Sequence, residues 1–401
     1  MDASFFSQAY AQPAGSPIRE LFPYLSRPGM ISLAGGYPSP SLFDMEGLQE
    51  AGARALAQRG VYQYGPTEGD ADLREQLCRL CAGRGIHADP PQVLVTTGSQ
   101  QAFDLLVRTL IDAGDTVLVE SPAYPATLQA LRLAGAHVVE VPTDAQGLRI
   151  DALAQALAAL LPARQPKLLY TVPSFSNPGG TLLSAERRRQ LVGLARAHGF
   201  LIVEDDPYGD LDFTGQPRAT LYQHGQELAG AQSPVVYLSS LSKTVAPALR
   251  TGWMIAPPEL LRRCAIAKQT MDLCTPPITQ RIASEYLRLD RYGTAVARAS
   301  LEYQARMTRM VQALRDRLDG QATFVAPQGG LFLWLALAPG IDADALFAAA
   351  VARGVLYVPG KAFYASPSHP QALRLSFATP TVDEVSQGIA RLQQALEQAR
   401  C

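Results

Sequence analysis

The 401-residue chain reads as an α/β protein. It has a large domain with a mostly parallel sheet sandwiched by helices, and a smaller α+β domain at the C-terminal end. Three observations predict this. From about residue 92, short apolar runs alternate with helical stretches, the order that builds a parallel sheet. Those runs lack period-two alternation, as expected of strands covered on both faces. After a long helical tract, 277–318, the pattern changes to short strands around a turn-forming Pro327-Gln328-Gly329-Gly330.

Taken in order, Val93–Thr96 reads as a strand and Gln100–Ile111 as a helix. Val117–Val119 is the next strand, followed by a helix near Ala126–Leu133 and a strand at His137–Val141. Leu168–Val172 and Phe200–Val203 are strands on either side of a charged helix, Ser184–Ala197. Val235–Leu238 and Trp253–Ile255 complete the sheet. Beyond the helical tract, Thr323–Val325 and Leu331–Leu335 flank the turn. A helix (Ala343–Ala352), two strands (Val355–Val358 and Leu373–Phe377) and a terminal helix to about Gln398 follow. The expected division is an N-terminal arm over 1–45, a large domain over 46–285 and a small domain over 286–401.

Composition narrows the function classes. With 47% hydrophobic and 18% charged residues, the chain is globular. Lys and Arg number 35 against 36 Asp and Glu, which gives no basic footprint for nucleic acid or an anionic membrane. The longest apolar run, Leu331–Ala338, is too short to span a bilayer. The opening MDASFFSQAYAQPAG has Asp2 where a secretory signal carries positive charge, and it lacks an apolar stretch. The five cysteines (Cys78, Cys81, Cys264, Cys274, Cys401) form no disulfide framework, so the expected location is the cytoplasm. Cys78 and Cys81 have C-x-x-C spacing, but they sit in a helical pattern with only His87 nearby. They read as two small apolar residues rather than a metal or redox pair.

Six segments can carry chemistry. In Tyr237-Leu-Ser-Ser-Leu-Ser-Lys243 a lysine follows a strand end, where α/β sheets gather ligands. Desolvation there lowers an amine's pKa and frees it to form a Schiff base with an aldehyde. Ser240 and Ser242 offer hydroxyls to an anion, and Arg250 offers a guanidinium fork suited to phosphate. A solvated lysine is the plain alternative. In Val95-Thr-Thr-Gly-Ser-Gln-Gln101 a strand runs through Gly98 into a helix start, a phosphate-binding geometry in which Ser99 caps the helix; an ordinary N-cap reads the same way. No G-x-G-x-x-G or P-loop pattern is present.

Ile202-Val-Glu-Asp-Asp-Pro-Tyr208 places acids at a strand end. Asp205 there can keep a pyridine nitrogen protonated, with Tyr208 one turn on; a solvated acid and a packing tyrosine is the competing reading. Asn177, in Pro173-Ser-Phe-Ser-Asn-Pro-Gly-Gly180, precedes a proline that holds it extended, and its amide can donate to a phenolate oxygen. Tyr124 follows another strand end and can stack on a flat ring or serve as core. Arg374, in Leu373-Arg-Leu-Ser-Phe377, lies among apolar neighbours. A buried arginine requires an anion, either a protein acid or a substrate carboxylate.

The order and spacing of these segments resemble one family. SPIRELFPYLSRPGMISLAGGYPSP, YQYGPTEGDADLRE, TTGSQQAFDL, SPAYPATLQA, PSFSNPGG, VEDDPYGDL, SSLSKTVAPALRTGW, PQGGLFLWL and ALRLSFA occur in sequence over nearly the whole chain. Together they resemble the class I/II aminotransferases of pyridoxal 5'-phosphate (PLP) fold type I, and within them the 2-aminoadipate and kynurenine aminotransferase branch. The resemblance implies amino-group transfer between an L-amino acid and a 2-oxo acid, with 2-oxoglutarate as acceptor, by a ping-pong mechanism. It implies Lys243 as Schiff-base lysine and proton carrier, and Asp205 as partner of the ring nitrogen. Tyr208 and Asn177 match the groups on the phenolate oxygen, and Tyr124 the stacking aromatic. Ser99, Gln100, Ser240, Ser242 and Arg250 match the phosphate cup.

Tyr64 resembles a tyrosine that reaches the neighbouring subunit's phosphate, which implies a homodimer with shared sites. Arg374 matches the clamp on the substrate α-carboxylate. Gly36 and Tyr37 fall where the arm closes over substrate, and Arg19 resembles an arginine that meets a distal carboxylate. The chain departs from the branch at Tyr37, where leucine is common, and at Phe175-Ser176 before Asn177. Three competing readings share parts of this pattern. They are a PLP lyase, decarboxylase or synthase on the same fold, an aminotransferase-like domain of a helix-turn-helix regulator, and an α/β module for another phosphorylated ligand.

Overall fold

A computed structural model of the chain describes residues 3–11, 15–161, 164–341, 343–366 and 371–399; Cys401 lies outside them. The chain enters through α1 (Phe22–Leu25) and a two-residue strand, β1 (Ile31–Ser32), and continues into α2 (Met45–Leu56) and α3 (Ala71–Ala82). Asp44 and Asp70 start the latter two helices. Each side chain accepts from the backbone N–H three residues on and satisfies a donor the helix leaves free. Cys78 and Cys81 ride on α3 as the sequence indicates, and burial pushes the Cys81 thiol up to about 12.

The α/β alternation then runs β2 (Val93–Thr96), α4 (Ser99–Leu110), β3 (Thr116–Ser121), α5 (Pro125–Leu133), β4 (His137–Asp144), β5 (Gly147–Leu148), α6 (Ile150–Ala159), β6 (Pro166–Thr171), α7 (Ala185–His198), β7 (Leu201–Asp205), α8 (Leu221–Ala229), β8 (Val235–Ser240), β9 (Gly252–Ile255) and α9 (Pro258–Met271). These strands form one eight-stranded sheet in the order β2-β9-β8-β7-β6-β3-β4-β5. Only β9 and the short β5 run against the rest. Every residue of β2, β8 and β9 is buried, which explains the missing alternation. Each buried Val or Leu there contributes about 1.5–3 kcal/mol.

The direction of β9 places Arg250. The amino end of this strand, led by Arg250, arrives at the same edge of the sheet as the carboxyl ends of β2, β3, β6, β7 and β8. Strand ends that carry Gly98, Tyr124, Asn177, Asp205 and Lys243 therefore converge with Arg250 on one rim.

Residues 277–318 are two helices, α10 (Pro277–Arg288) and α11 (Tyr292–Leu318). Between them Asp290 adopts φ 53°, a left-handed conformation that ends the first helix. Next come β10 (Ala322–Phe324), β11 (Phe332–Leu337), α12 (Ala343–Ala352), β12 (Val355–Leu356), β13 (Val358–Pro359), β14 (Ala372–Ser376) and α13 (Val382–Ala399). A four-stranded antiparallel sheet has the order β10-β11-β14-β13. The single strand expected over 355–358 is divided. Val355 and Leu356 pair in parallel with β1, while Val358 pairs with Arg374 on β14. One short run thus ties the arm to the smaller sheet. No helix among the described residues is long and apolar enough to cross a membrane.

Candidate active site

The rim encloses a cleft of about 550 Å³. Lys243 reaches into it from the turn after β8, and its Nζ donates to the Gly36 carbonyl at 2.9 Å. Burial lowers the lysine to about 8, and the nearby Arg374 and Arg250 charges push the same way. Roughly a tenth of the amine is then neutral at pH 7, far more than for an ordinary lysine.

Asp205 ends β7 and is buried. Oδ2 accepts from the Tyr170 hydroxyl at 2.6 Å, while Oδ1 has no hydrogen-bond partner. Burial raises the acid to about 6, opposed by the Tyr170 and Ser99 hydroxyls. The three consecutive acids go to three uses. Glu204 pairs with Arg188 and accepts from the Leu221 and Tyr222 N–H groups at the start of α8; Asp206 pairs with Arg84 at 2.7 Å; Asp205 alone faces the cleft.

The opposite rim is built as a cup. Gly98 adopts φ 82°, and it rather than Ser99 is the N-cap of α4. This corrects the capping role expected of Ser99, which is the first helical residue; its hydroxyl is free of that duty and lies by Asp205. The first N–H groups of α4 open beside Ser240 and Ser242, whose hydroxyls meet at 2.8 Å. Arg250, itself left-handed at φ 49°, crosses behind and donates to the Thr97 carbonyl at 2.9 Å. A Cβ on Gly252 would lie 2.6 Å from the Ser99 nitrogen, so only glycine lets β9 pass this close.

Arg374, on β14, is 1% exposed and finds no protein carboxylate among the described residues. Its Nη1 donates to Asn177 Oδ1 at 2.7 Å and its Nη2 to the Ala34 carbonyl at 2.6 Å, while Nε has no partner. The guanidinium lies 4.2 Å above the Phe332 ring. Burial lowers it to about 10. Because Asn177 turns its oxygen to Arg374, its amide NH₂ faces the Tyr208 hydroxyl. Burial raises both Tyr208 and Tyr124.

Arg19 and Tyr37 line the mouth of the cleft. Arg19 is exposed and has no carboxylate partner among the described residues, and Tyr37 packs edge-on against Phe22. Of the residues singled out in the sequence, Tyr64 alone is outside the cleft in its own chain, 78% exposed. Sequence reasoning missed Tyr170, Phe332 and the Ala34 carbonyl. Tyr170 had a signal, a lone hydroxyl near the end of an apolar strand. The other two come from distant segments and had none.

The site fits PLP. The orphaned Asp205 oxygen suits a protonated ring nitrogen, the easily deprotonated lysine suits an aldehyde, and the cup offers helix N–H groups, two serines and an arginine for a phosphate. A family model described as aminotransferase class I and II matches residues 30–392. The chain is 37% identical over 398 residues to a 2-aminoadipate transaminase of Thermus thermophilus, covering 98% of this chain and 97% of that one. It is 35% identical over 398 residues to aromatic-amino-acid aminotransferase 1 of Thermococcus litoralis, covering 98% and 94%. A kynurenine aminotransferase structure from Pyrococcus horikoshii, solved in complex with PMP, matches with a TM-score of 0.93 at 35% identity, covering 98% and 97%. The chain belongs to the class I and II aminotransferases, PLP-dependent enzymes that transfer amino groups.

Proposed function

We propose that the chain moves an amino group from an L-amino acid to a 2-oxo acid, 2-oxoglutarate among the acceptors, with Lys243 carrying the proton. The observation that supports this most is the desolvated Lys243 amine between a buried acid with a free oxygen and a buried arginine with a free N–H. When bound, PLP supplies an aldehyde for the incoming amino group and a ring that stabilises negative charge at the adjacent carbon.

The chain's residues do the rest. Ser99, Gln100, Ser240, Ser242 and Arg250 hold the phosphate, and Tyr124 packs against the ring. Asp205 Oδ1 keeps the ring nitrogen protonated. Tyr208 and Asn177 donate to the phenolate oxygen. Arg374 would grip the α-carboxylate and so fix the orientation of the α-carbon in the cleft. Lys243 Nζ, lowered to about 8 and so more readily deprotonated than an ordinary lysine, would take the α-proton and hold it at the cleft for return. Gly36 and Tyr37 close over the substrate with the 1–45 arm, which packs on a large domain over 46–285 and a small one over 286–401. Tyr64 serves a second copy's phosphate in a homodimer, and the protein works in the cytoplasm without a nucleic-acid or membrane partner.

Side-chain choice rests with Arg19 and Tyr37. A screen of amino donors against 2-oxoglutarate, repeated with Arg19→Ala, tests both levels. Turnover that needs both substrates supports transfer, whereas ammonia release without an acceptor supports a lyase. A loss confined to acidic donors assigns Arg19 to a distal carboxylate, and an unchanged donor profile removes it from the site.

A further inference from the structure

Asp205 has two oxygens, and the protein treats them differently. Oδ2 is taken by Tyr170 at 2.6 Å, and Oδ1 is left for the cleft. Tyr170 is 2% exposed on β6, one strand away from β7 in the sheet. Its ring is held edge-on by Phe103 of α4 with centroids 4.8 Å apart. Behind it the Thr127 hydroxyl, 2% exposed on α5, bonds the Tyr170 oxygen. The hydroxyl therefore has a fixed direction, and a donor behind it makes it a stronger donor. The other groups facing Asp205 include Ser99 from α4, Lys243 from beyond β8, Tyr124 at the start of α5, Tyr208 from beyond β7 and the neighbouring Asp206, itself tied to Arg84.

A buried carboxyl facing a pyridine nitrogen can share one proton in two ways. Either the acid is neutral and the ring nitrogen bare, or the acid is charged and the ring nitrogen protonated. Burial favours the first arrangement. A donor on the far oxygen bonds the charged acid more strongly than the neutral one and favours the second. We propose that Tyr170, backed by Thr127, is a positioning residue that keeps Asp205 ionised and so holds the proton on the cofactor's ring nitrogen. This rests on Asp205 being the partner of that nitrogen. It explains why a tyrosine that touches no reacting atom presents its hydroxyl, rather than only its ring, to the site.

The test uses holoenzyme reconstituted with PLP labelled with ¹⁵N in the ring. The wild-type resonance should be that of a protonated pyridine. Tyr170→Phe, which keeps the ring packing, should move it towards the unprotonated position and raise the PLP dissociation constant on the order of 10- to 100-fold. Thr127→Val should shift the resonance the same way by less, and it stands in if Tyr170→Phe folds poorly. In an Asp205→Asn background, Tyr170→Phe should change neither reading, because no charge remains to stabilise. An unmoved resonance and affinity in Tyr170→Phe overturns the proposal, as does an equal effect in the Asp205→Asn background. A bare ring nitrogen in the wild type removes the Asp205 role and this one with it. Failure of Tyr170 alone leaves the wild type protonated.

Discussion

Arg374 offers a prediction whose size can be worked from contacts. Its guanidinium is buried, donates to Asn177 and the Ala34 carbonyl, and keeps Nε free. A carboxylate brought to it gains two charge-assisted hydrogen bonds at about 1.5–3 kcal/mol each. Arg374→Ala removes both and leaves Asn177 Oδ1 without its donor. The expected loss is thus about 3–6 kcal/mol, or roughly 10²- to 10⁴-fold in kcat/KM. The clean assay compares an amino acid with the amine that lacks its carboxylate, each in the first half-reaction followed by the cofactor's absorbance. The amino acid should lose the full factor, and the amine should change little beyond the effect of the misplaced Asn177. An equal loss for both would show that Arg374 supports the fold of the site and does not read the carboxylate.

Three further outcomes derive from the same geometry. The folded Lys243 titrates at about 8 against an ordinary 10.5, so the folded apoenzyme releases this proton first. Its penalty of ~3 kcal/mol applies in full below about pH 8 and fades as pH rises towards 10.5. Lys243→Met should therefore raise apoenzyme stability most at pH 7, with the gain gone near pH 10.5 in denaturant titrations. Arg188→Leu leaves Glu204 as an unpaired buried acid and should cost about 3–5 kcal/mol in unfolding free energy; an unchanged midpoint and slope would refute the pairing argument. Gly252→Ala drives a methyl into the backbone at Gly98 and Ser99, so PLP affinity should fall while Arg374-dependent carboxylate selectivity persists.

The strands of the large sheet were legible because being covered on both faces leaves continuous apolar runs, and β2, β6, β7 and β8 fall within two residues of their expected bounds. The direction of β9 was not, since nothing in Gly252–Ile255 distinguishes a parallel from an antiparallel neighbour. The split of 355–358 depended on the arm, a partner more than 300 residues away in sequence. Cleft residues on strand ends announced themselves as polar groups where the apolar run stops. Ser99 illustrates the limit. Serine before a helix suggests a cap, but Gly98 at φ 82° takes that position and frees the hydroxyl. The partner of each Asp205 oxygen is also invisible in sequence, because Tyr170 is 35 residues away on an adjacent strand.

The central claim is that Lys243 Nζ moves the α-proton. It is tested most directly by exchange of the amino acid's α-hydrogen with deuterated water, measured for wild type and Lys243→Ala holoenzyme at matched cofactor occupancy. The phosphate cup does not involve Lys243, so the variant should still bind PLP. Exchange should fall by at least about 10²- to 10⁴-fold in the variant, the range for loss of a positioned base. Exchange at the wild-type rate with cofactor bound would contradict the account.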